Sequence, residues 1–300
     1  MSEPTPGDPA AQPGLLLSAR DIRELAEAAG IRPSKQRGQN FVMDPKTVRT
    51  IVGRAHVAPG QAVLEVGPGL GSLTLGLLEA QADVVAIELD RGLAELLPLT
   101  LRARGIEDER FALVHADALQ VTELPQLPRA GEPTALVANL PYNVATPILL
   151  TMLERFPSLR SALVMVQSEV VDRLTAGPGS RTYGGPSVKA AWYGRAVHAG
   201  RISRQIFWPV PNVDSALVEL VRHEQPLGTA EERERVFAVI DAAFAQRRKT
   251  LRAALSGWAG SAARSEAILR AAGIDPGARG ETLQIEQFRA IARAEKAVQA

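Results

Sequence analysis

The chain places an amide and an aromatic ring where nucleotide-binding sheets hold their ligands. Asn139-Leu140-Pro141-Tyr142 follows a short apolar run typical of a buried parallel strand, and a helical pattern begins a few residues later. An Asn side chain can accept a hydrogen bond but cannot take up a proton. A Tyr ring offers a flat apolar face. These residues favour a site that holds the exocyclic amine of a stacked heterocycle, although a polar turn ended by proline has the same composition.

Two acids stand at the ends of neighbouring predicted strands. Glu88 lies toward the end of the second predicted strand, 84–90, where a carboxylate can accept both hydroxyls of a ribose. The alternative role for Glu88 is a helix N-cap, for which Asp90 is better placed. Asp117 lies just past a third run and could accept from an adenine amine, or cap a helix. Because parallel strands end at one edge of a sheet, we expect Glu88, Asp117 and Asn139 to lie near one another.

A glycine-rich turn separates the first clear strand from the helix that follows it. Gly67, Gly69 and Gly71 allow the backbone to approach a ligand closely, with a helix N-terminus behind them. Ser72 stands where the dinucleotide fingerprint requires its third glycine, and Glu65 inside the strand is unusual for a dehydrogenase. The spacing therefore favours a nucleoside ligand over a pyrophosphate, and a dehydrogenase is the weaker alternative.

The composition limits the classes of function. The 300 residues are 46% hydrophobic, which is enough for one large domain or two. With 34 basic and 33 acidic residues, any nucleic-acid surface has to be local. The chain has no Cys and four scattered His, so we expect no disulfide, no Cys nucleophile and no metal. No apolar run approaches the ~20 residues that span a bilayer.

The N-terminal residues predict a cytoplasmic protein with a disordered tail. Residues 1–14 are rich in Pro, Gly, Ser and acid, and they lack the basic and apolar regions of a signal peptide. We place the tail at 1–18.

One stretch combines basic and aromatic residues without any acid. It runs from Arg181 to Val210 on segments that look strand-like, and it is typical of a nucleic-acid groove or of an edge strand protected by charge. Beyond a linker near residues 223–229 the pattern is helical, and the segment 246–252 has four basic residues suited to phosphate contacts. The basic and aromatic residues of the acid-free stretch are Arg181, Lys189, Trp192, Tyr193, Arg195, His198, Arg201, Arg204, Phe207 and Trp208.

Taken in order, these motifs closely resemble the small-subunit ribosomal RNA adenine dimethyltransferases, the KsgA/RsmA family. The similarity extends over about residues 32 to 290. The matching pieces are Gly38-Gln39-Asn40-Phe41, Glu65-Val66-Gly67-Pro68-Gly69, Ile87-Glu88-Leu89-Asp90, Asp117-Ala118, Asn139-Leu140-Pro141-Tyr142-Asn143, Tyr183-Gly184, Pro209-Val210-Pro211-Asn212-Val213-Asp214-Ser215 and Gln246-Arg247-Arg248-Lys249-Thr250.

The resemblance implies an α/β fold and a specific reaction. The expected fold is a Rossmann-type S-adenosylmethionine-dependent methyltransferase sheet at 19–224, with a small all-α C-terminal RNA-binding domain at 230–300. The expected reaction transfers methyl groups from S-adenosyl-L-methionine to N6 of two adjacent adenines in the 3′-terminal hairpin loop of 16S rRNA in the 30S subunit, leaving S-adenosyl-L-homocysteine. A role in small-subunit biogenesis, a monomeric state and no metal are further expectations.

The resemblance also implies roles for individual residues. Those expected to contact the cofactor are Asn40, Val42, Gly67, Glu88 at the ribose, Asp117 at the adenine amine, and Asn139. Those expected to act on the target base are Asn139 with Tyr142, and Phe207 as a second stacking ring.

Three positions depart from the family pattern, and other functions remain open. Arg37, Ser168 and Gly185 replace an apolar or aromatic residue, a Lys and an Arg, and these departures concern local RNA contacts rather than the chemistry. The Erm type, which methylates large-subunit rRNA, is the alternative within the enzyme class; Leu140 favours the small-subunit type. A ribosome-assembly factor is the alternative from another class.

Overall fold

The chain forms a central sheet with helices on both faces. The computed structural model describes residues 14–30 and 40–299. The strands of this part are β1 (Phe41–Val42), β2 (Ala62–Val66), β3 (Asp83–Glu88), β4 (Phe111–His115), β5 (Ala135–Asn139), β6 (Ser161–Gln167), β7 (Gly194–Ile202), β8 (Phe207–Trp208) and β9 (Ser215–Arg222). Its α-helices are α1 (Ala19–Ala28), α2 (Pro45–Arg54), α3 (Ser72–Glu79), α4 (Arg91–Ala103), α5 (Ala145–Arg155), α6 (Ser168–Leu174), α7 (Gly185–Tyr193), α8 (Ala230–Ala245), α9 (Leu251–Ala254), α10 (Ser256–Ala259), α11 (Ala262–Ala271) and α12 (Ile285–Gln299).

The seven-stranded sheet brings three strand ends to one place. Its order is β4-β3-β2-β5-β6-β9-β7, and β9 runs antiparallel to its neighbours while the other strands share one direction. β2 and β3 are buried at every position, as expected for apolar parallel strands covered on both faces. The order reverses at β2, because β3 and β4 lie to one side and β5 and β6 to the other. Ligands of open α/β sheets bind at such a switch point, beyond the carboxyl ends.

Apolar clusters on the two faces hold this arrangement. One includes Leu75 of α3, Leu97 of α4 and Val137 of β5. The other extends from Leu149 of α5 through the sheet to Phe288 of α12. The second cluster is continuous between the sheet and the helices that follow residue 230, so the division into a sheet domain and a helical domain stays a prediction.

Packed residues begin within the segment that the sequence analysis assigned to the disordered tail. Residues 1–13 lie outside the described part, but Leu16 and Leu17 at the end of the predicted tail are buried. Arg104, the residue that follows α4, donates to the carbonyl of Leu16 at 3.2 Å and pairs with Asp21 at 2.9 Å. The expectation of disorder through residue 18 is therefore wrong for residues 14–18. Apolar burial and a guanidinium that binds backbone carbonyls fix this segment.

The acid-free stretch is not strand-like throughout. After a turn at residues 181–184 it continues as α7, whose first turn contains a proline, as helix starts tolerate. Trp192 and Tyr193 are buried, and each meets the ring of Phe237 edge-on at 6.2 Å. Lys189 pairs with Asp241 of α8 at 2.6 Å. These three residues join α7 to the helical part of the chain, so they are not members of a base-stacking groove.

We expect Gly194→Ala to destabilise the fold by about 1–3 kcal/mol, since overpacking forces neighbouring groups apart. Gly194 has an extended backbone with φ of 179°, which any residue adopts, but a Cβ there would lie 2.2 Å from the carbonyl oxygen of Val221. The measurement is urea-induced unfolding. Gly257→Ala in α10 is the matched control, because a Cβ there meets nothing within 4 Å and Ala favours a helix by up to about 1 kcal/mol. Equal unfolding midpoints for the two variants would contradict the prediction.

Candidate active site

A cavity of about 700 Å³ opens at the switch point of the sheet. This volume is typical of sites for cofactor-sized ligands. All six residues expected to contact the cofactor line it: Asn40, Val42, Gly67, Glu88, Asp117 and Asn139. The strand-end argument for Glu88, Asp117 and Asn139 therefore holds in three dimensions. Tyr142 and Phe207 are absent from this lining.

The glycine turn forms one wall of the cavity. Gly67, Gly69 and Gly71 have φ values of 71°, 59° and 94°, a region that side chains with a Cβ rarely adopt. A Cβ on Gly69 would also lie 3.0 Å from the ring of Phe41. The turn leads directly into α3, whose first residue, Ser72, donates through its hydroxyl to the carbonyl of Val42 at 2.7 Å. The missing third glycine is thus a serine that attaches β1 to the turn.

Glu88 is held by the backbone on both sides. Its two carboxylate oxygens accept from the N–H of Gly69 at 3.1 Å and of Asp90 at 2.8 Å. Burial raises the pKa of the Glu88 carboxyl, and these backbone N–H groups act against that rise. Asp90, rather than Glu88, caps α4. The carboxylate of Glu88 is consequently left as a ligand group in the cavity wall.

Asp117 is half-buried beyond the end of β4, and one of its oxygens accepts from the N–H of Leu119 at 2.9 Å. Both predicted roles are thus compatible with its position, because the carboxylate closes a turn and also lines the cavity.

Asn139 presents an unsatisfied acceptor at the end of β5. Its Nδ2 donates to the carbonyl of Asn40 at 3.1 Å. Its Oδ1 is buried and has no hydrogen-bond partner among the described residues. Leaving a buried acceptor unpaired costs about 1–3 kcal/mol, so such atoms in native proteins call for an explanation. An N–H donor on a ligand in the adjoining cavity would satisfy it.

Tyr142 is held from a distant part of the chain. Its hydroxyl shares a 2.6 Å hydrogen bond with that of Ser215, the fully buried first residue of β9. Burial raises the pKa of Tyr142. Tyr142 lies next to Pro141 and Asn143, which line the cavity. Sequence reasoning included Ser215 in a matching motif but gave it no role, since nothing local links it to a residue 73 positions away.

Phe207, the expected second stacking ring, is buried and does not lie at an exposed rim of the sheet. Its side chain is 0% exposed. β8 pairs with β1, with Phe207 opposite Val42. Successive strand residues point to opposite faces, so Phe207 enters the apolar cluster while Trp208 stacks on Phe41 at 6.3 Å. In this arrangement the ring of Phe207 offers no face to a base.

Glu65 is a further buried carboxyl in the cavity wall. Sequence reasoning used it to argue against a dehydrogenase and as part of a matching motif, but gave it no role. It is 1% exposed and accepts from the hydroxyl of Thr74 at 2.7 Å. Burial raises its pKa to about 8. The glutamate inside an otherwise apolar strand was the available signal.

The basic residues are only partly free for phosphate contacts. Arg247 pairs with Glu281 at 3.0 Å, and Arg252 with Glu266 at 2.8 Å. The remaining basic residues of the 246–252 segment, Arg248 and Lys249, are exposed, as are Arg195, His198 and Arg201 on the edge strand β7. An edge strand protected by charge and an RNA surface both fit this placement.

The described part of the chain contains neither a cluster of metal-binding side chains nor a helix that could span a membrane. Across residues 14–30 and 40–299, no three His, Asp or Glu side chains are grouped so that they could hold a metal ion. Over the same ranges no helix has the length and apolar character needed to cross a membrane.

Comparison with known proteins identifies the family. A model of the family described as ribosomal RNA adenine dimethylase matches residues 32–296. The chain belongs to this family. It is therefore an rRNA adenine methyltransferase with S-adenosyl-L-methionine as its methyl donor.

Close relatives extend over almost the whole chain. The ribosomal RNA small subunit methyltransferase A of Streptomyces griseus subsp. griseus is 64% identical over 282 residues, covering 94% of this chain and 96% of the relative. The protein of the same name from Arthrobacter sp. is 58% identical over 100% of both.

Solved structures show the same fold. The 23S rRNA methyltransferase ErmE has a TM-score of 0.61 and 28% identity, covering 86% of this chain and 100% of ErmE. A dimethyladenosine transferase from Plasmodium falciparum has a TM-score of 0.69 at 20% identity, covering 84% of this chain and 95% of that one. The Rossmann-type methyltransferase sheet is thereby confirmed.

We expect Tyr142→Phe and Ser215→Ala each to lower kcat/KM for the RNA substrate by about 2- to 12-fold, equivalent to one net hydrogen bond of about 0.5–1.5 kcal/mol. Each change removes the bond that fixes the ring. Since both remove the same bond, the double variant should lose little more than either single variant. Methyl-transfer kinetics give the numbers, and an unchanged cofactor Kd serves as the control. Fully additive losses would show that the two hydroxyls act separately.

Proposed function

We propose that this chain transfers methyl groups from S-adenosyl-L-methionine to N6 of two adjacent adenines in the 3′-terminal hairpin loop of 16S rRNA within the 30S subunit. The product is N6,N6-dimethyladenosine at both positions. The observation that carries the proposal is the buried, unpartnered Oδ1 of Asn139 beside the cavity for the methyl donor, called the donor cavity below. An exocyclic amine supplies the N–H group that this oxygen lacks as a hydrogen-bond partner. A monomer acting in the cytoplasm, with a role in small-subunit biogenesis, completes the proposal.

The cavity residues divide between the parts of the cofactor. Glu88 accepts the ribose hydroxyls, and Asp117 accepts from the adenine amine. Asn40, Val42 and the turn at Gly67 enclose the remainder. When bound, the cofactor supplies a methyl group attached to a sulfonium sulfur. Transfer of the methyl group leaves that sulfur as a neutral thioether.

Asn139 acts on the acceptor nitrogen. The N6 lone pair is delocalised into the adenine ring and is a poor nucleophile. Asn139 Oδ1 and the Leu140 carbonyl accept the two N6 hydrogens, which favours a more tetrahedral nitrogen and stabilises the positive charge that develops there. The Leu140 peptide is held in place, because its N–H donates to the Met165 carbonyl at 3.1 Å. The nitrogen lone pair forms the new N–C bond as the S–C bond breaks, and the excess proton leaves to water.

The ring of Tyr142 holds the unstacked target base. Stacking of a base on an aromatic side chain contributes about 1–3 kcal/mol. Ser215 fixes the orientation of this ring through the shared hydrogen bond. The proposed second ring, Phe207, can contribute only after the β1–β8 pair has moved, since Phe207 is covered by that pair.

The small-subunit substrate is favoured over the large-subunit one by degree of similarity. Relatives at 58–64% identity are named as small subunit methyltransferases, whereas ErmE, named as a 23S rRNA methyltransferase, is 28% identical. Exposed Arg248 and Lys249, with Arg195 and Arg201 on β7, are the proposed contacts to rRNA phosphates.

Methyl transfer to purified ribosomal subunits tests the proposal. Under-methylated 30S and 50S subunits are incubated separately with the protein and labelled cofactor, and modified bases are mapped by mass spectrometry. We expect two adjacent dimethyladenosines near the 3′ end of 16S rRNA. Label confined to 23S rRNA would overturn the substrate assignment. An Asn139→Ala protein that binds immature 30S particles and stalls their maturation would add the assembly role.

A further inference from the structure

The donor cavity is lined by carboxyl groups. The ionisable residues along it, among those that the structure describes, are Glu65, Glu88, Asp90, Asp117 and Arg91. The guanidinium of Arg91 is engaged by Glu95 at 2.7 Å on the exposed side of α4. Four acids therefore surround a site that also contains the unpartnered Asn139 oxygen. Such a lining suits a positively charged ligand.

Glu65 differs from the other three acids in its surroundings. It is 1% exposed, and its Oε2 accepts from Thr74 of α3, which is itself fully buried. Glu88 on the neighbouring strand β3 faces it with like charge, and β5 on the other side contributes no ionisable residue between Ala135 and Asn139. Within the described residues Glu65 has no ion-pair partner.

These surroundings favour the neutral carboxylic acid. Burial removes the hydration that stabilises a carboxylate, and the nearby Glu88 charge disfavours a second one. Burial is the main cause that raises the pKa of Glu65 to about 8; the Thr74 hydroxyl lowers it and Glu88 raises it. Glu88, by contrast, has two backbone N–H donors that stabilise its charged form.

We propose that Glu65 is protonated in the ligand-free protein and releases its proton when the cationic methyl donor binds, so that cofactor binding is coupled to proton release. The inference rests on the proposed methyl donor, which introduces an ammonium and a sulfonium into this carboxyl-lined cavity. The O–H bond of Glu65 breaks, the proton passes to water, and the carboxylate left behind balances the incoming positive charge.

The coupling gives a definite pH dependence. Because the bound state holds fewer protons than the free state, cofactor affinity rises with pH and levels off above the free-state pKa of about 8. Below that pH the affinity changes by up to tenfold per pH unit, the slope for one proton released. Glu65→Gln, an isosteric mimic of the neutral acid, removes the Glu65 contribution to this slope.

Calorimetric titration of the full-length protein with S-adenosyl-L-methionine tests the inference. Binding at pH 7 is measured in phosphate and in Tris, whose ionisation enthalpies differ, so that the difference in heat counts the protons released. We expect wild type to release about one proton more than Glu65→Gln. Titration of the ligand's own amine is common to both proteins and cancels in this comparison.

Two further variants sharpen the result. Glu79→Gln changes an acid on the same helix as Thr74 but outside the cavity lining, and it should release as many protons as wild type. Thr74→Val removes the hydrogen-bond donor to Glu65, and should move the rise in cofactor affinity to higher pH. This variant keeps the inference testable if Glu65→Gln fails to fold. Equal proton release by wild type and Glu65→Gln, or an unmoved pH profile in Thr74→Val, would overturn the inference. Absence of binding by wild type would overturn the methyl-donor assignment itself.

Discussion

Asn139→Ala should lower kcat for methyl transfer by about 10²–10³-fold, the loss typical when one preorganised transition-state hydrogen-bonding group is removed. The unpaired Oδ1 is the acceptor for the amine whose charge grows during the reaction. Single-turnover transfer to under-methylated 30S subunits measures the effect. The Nδ2 bond to Asn40 is lost as well, so cofactor Kd has to be measured in parallel to separate chemistry from binding.

The matched control for this experiment is Asn212→Ala. Asn212 is exposed on the loop between β8 and β9, where its backbone carbonyl accepts from Arg204, and its side chain is absent from the cavity lining. This variant should retain wild-type kcat. Near-wild-type transfer by Asn139→Ala would show that the amide is dispensable.

Glu88→Ala is expected to weaken cofactor binding by about 10- to 150-fold, since a hydrogen bond to a charged group contributes about 1.5–3 kcal/mol. The carboxylate is the proposed acceptor for the ribose. It also braces the glycine turn through the Gly69 N–H. Calorimetry with the cofactor measures Kd.

Two comparisons identify the source of that loss. Glu95→Ala removes an exposed acid of α4 that pairs with Arg91 but does not itself line the cavity, and it should bind the cofactor as wild type does. A truncated ligand without the ribose hydroxyls should bind wild type and Glu88→Ala about equally. An unchanged Kd for the intact cofactor in Glu88→Ala would refute the ribose assignment.

The residues around the methyl donor were predictable because the sequence patterns that locate them are local. An apolar run followed at once by a polar residue fixes both the strand and its carboxyl end, as at Glu88 and Asn139. Parallel order then brings such ends together without any further information. The glycine turn obeys the same logic, since its positive φ values and its position between strand and helix follow from neighbouring residues.

The residues expected to hold the target base were predicted less well, because their positions depend on contacts between distant parts of the chain. Whether Phe207 is exposed depends on its pairing with β1, about 165 positions earlier, and on which face of a two-residue strand points inward. The same holds for the bond between Tyr142 and Ser215. The rings of Trp192 and Tyr193 showed aromatic character in the sequence but not their burial against α8, which requires the helical part to be in place.

The two-residue strand β1 makes the donor and acceptor sides mechanically dependent on each other. Its carbonyl at Val42 accepts from Ser72 at the start of α3, and the preceding carbonyl at Asn40 accepts from Asn139. Its partner strand β8 contains Phe207. A displacement of β1 that uncovers Phe207 therefore pulls on the catalytic amide and on the helix behind the glycine turn at the same time. Entry of the target base by this route would therefore displace residues of the cofactor pocket before the new N–C bond forms.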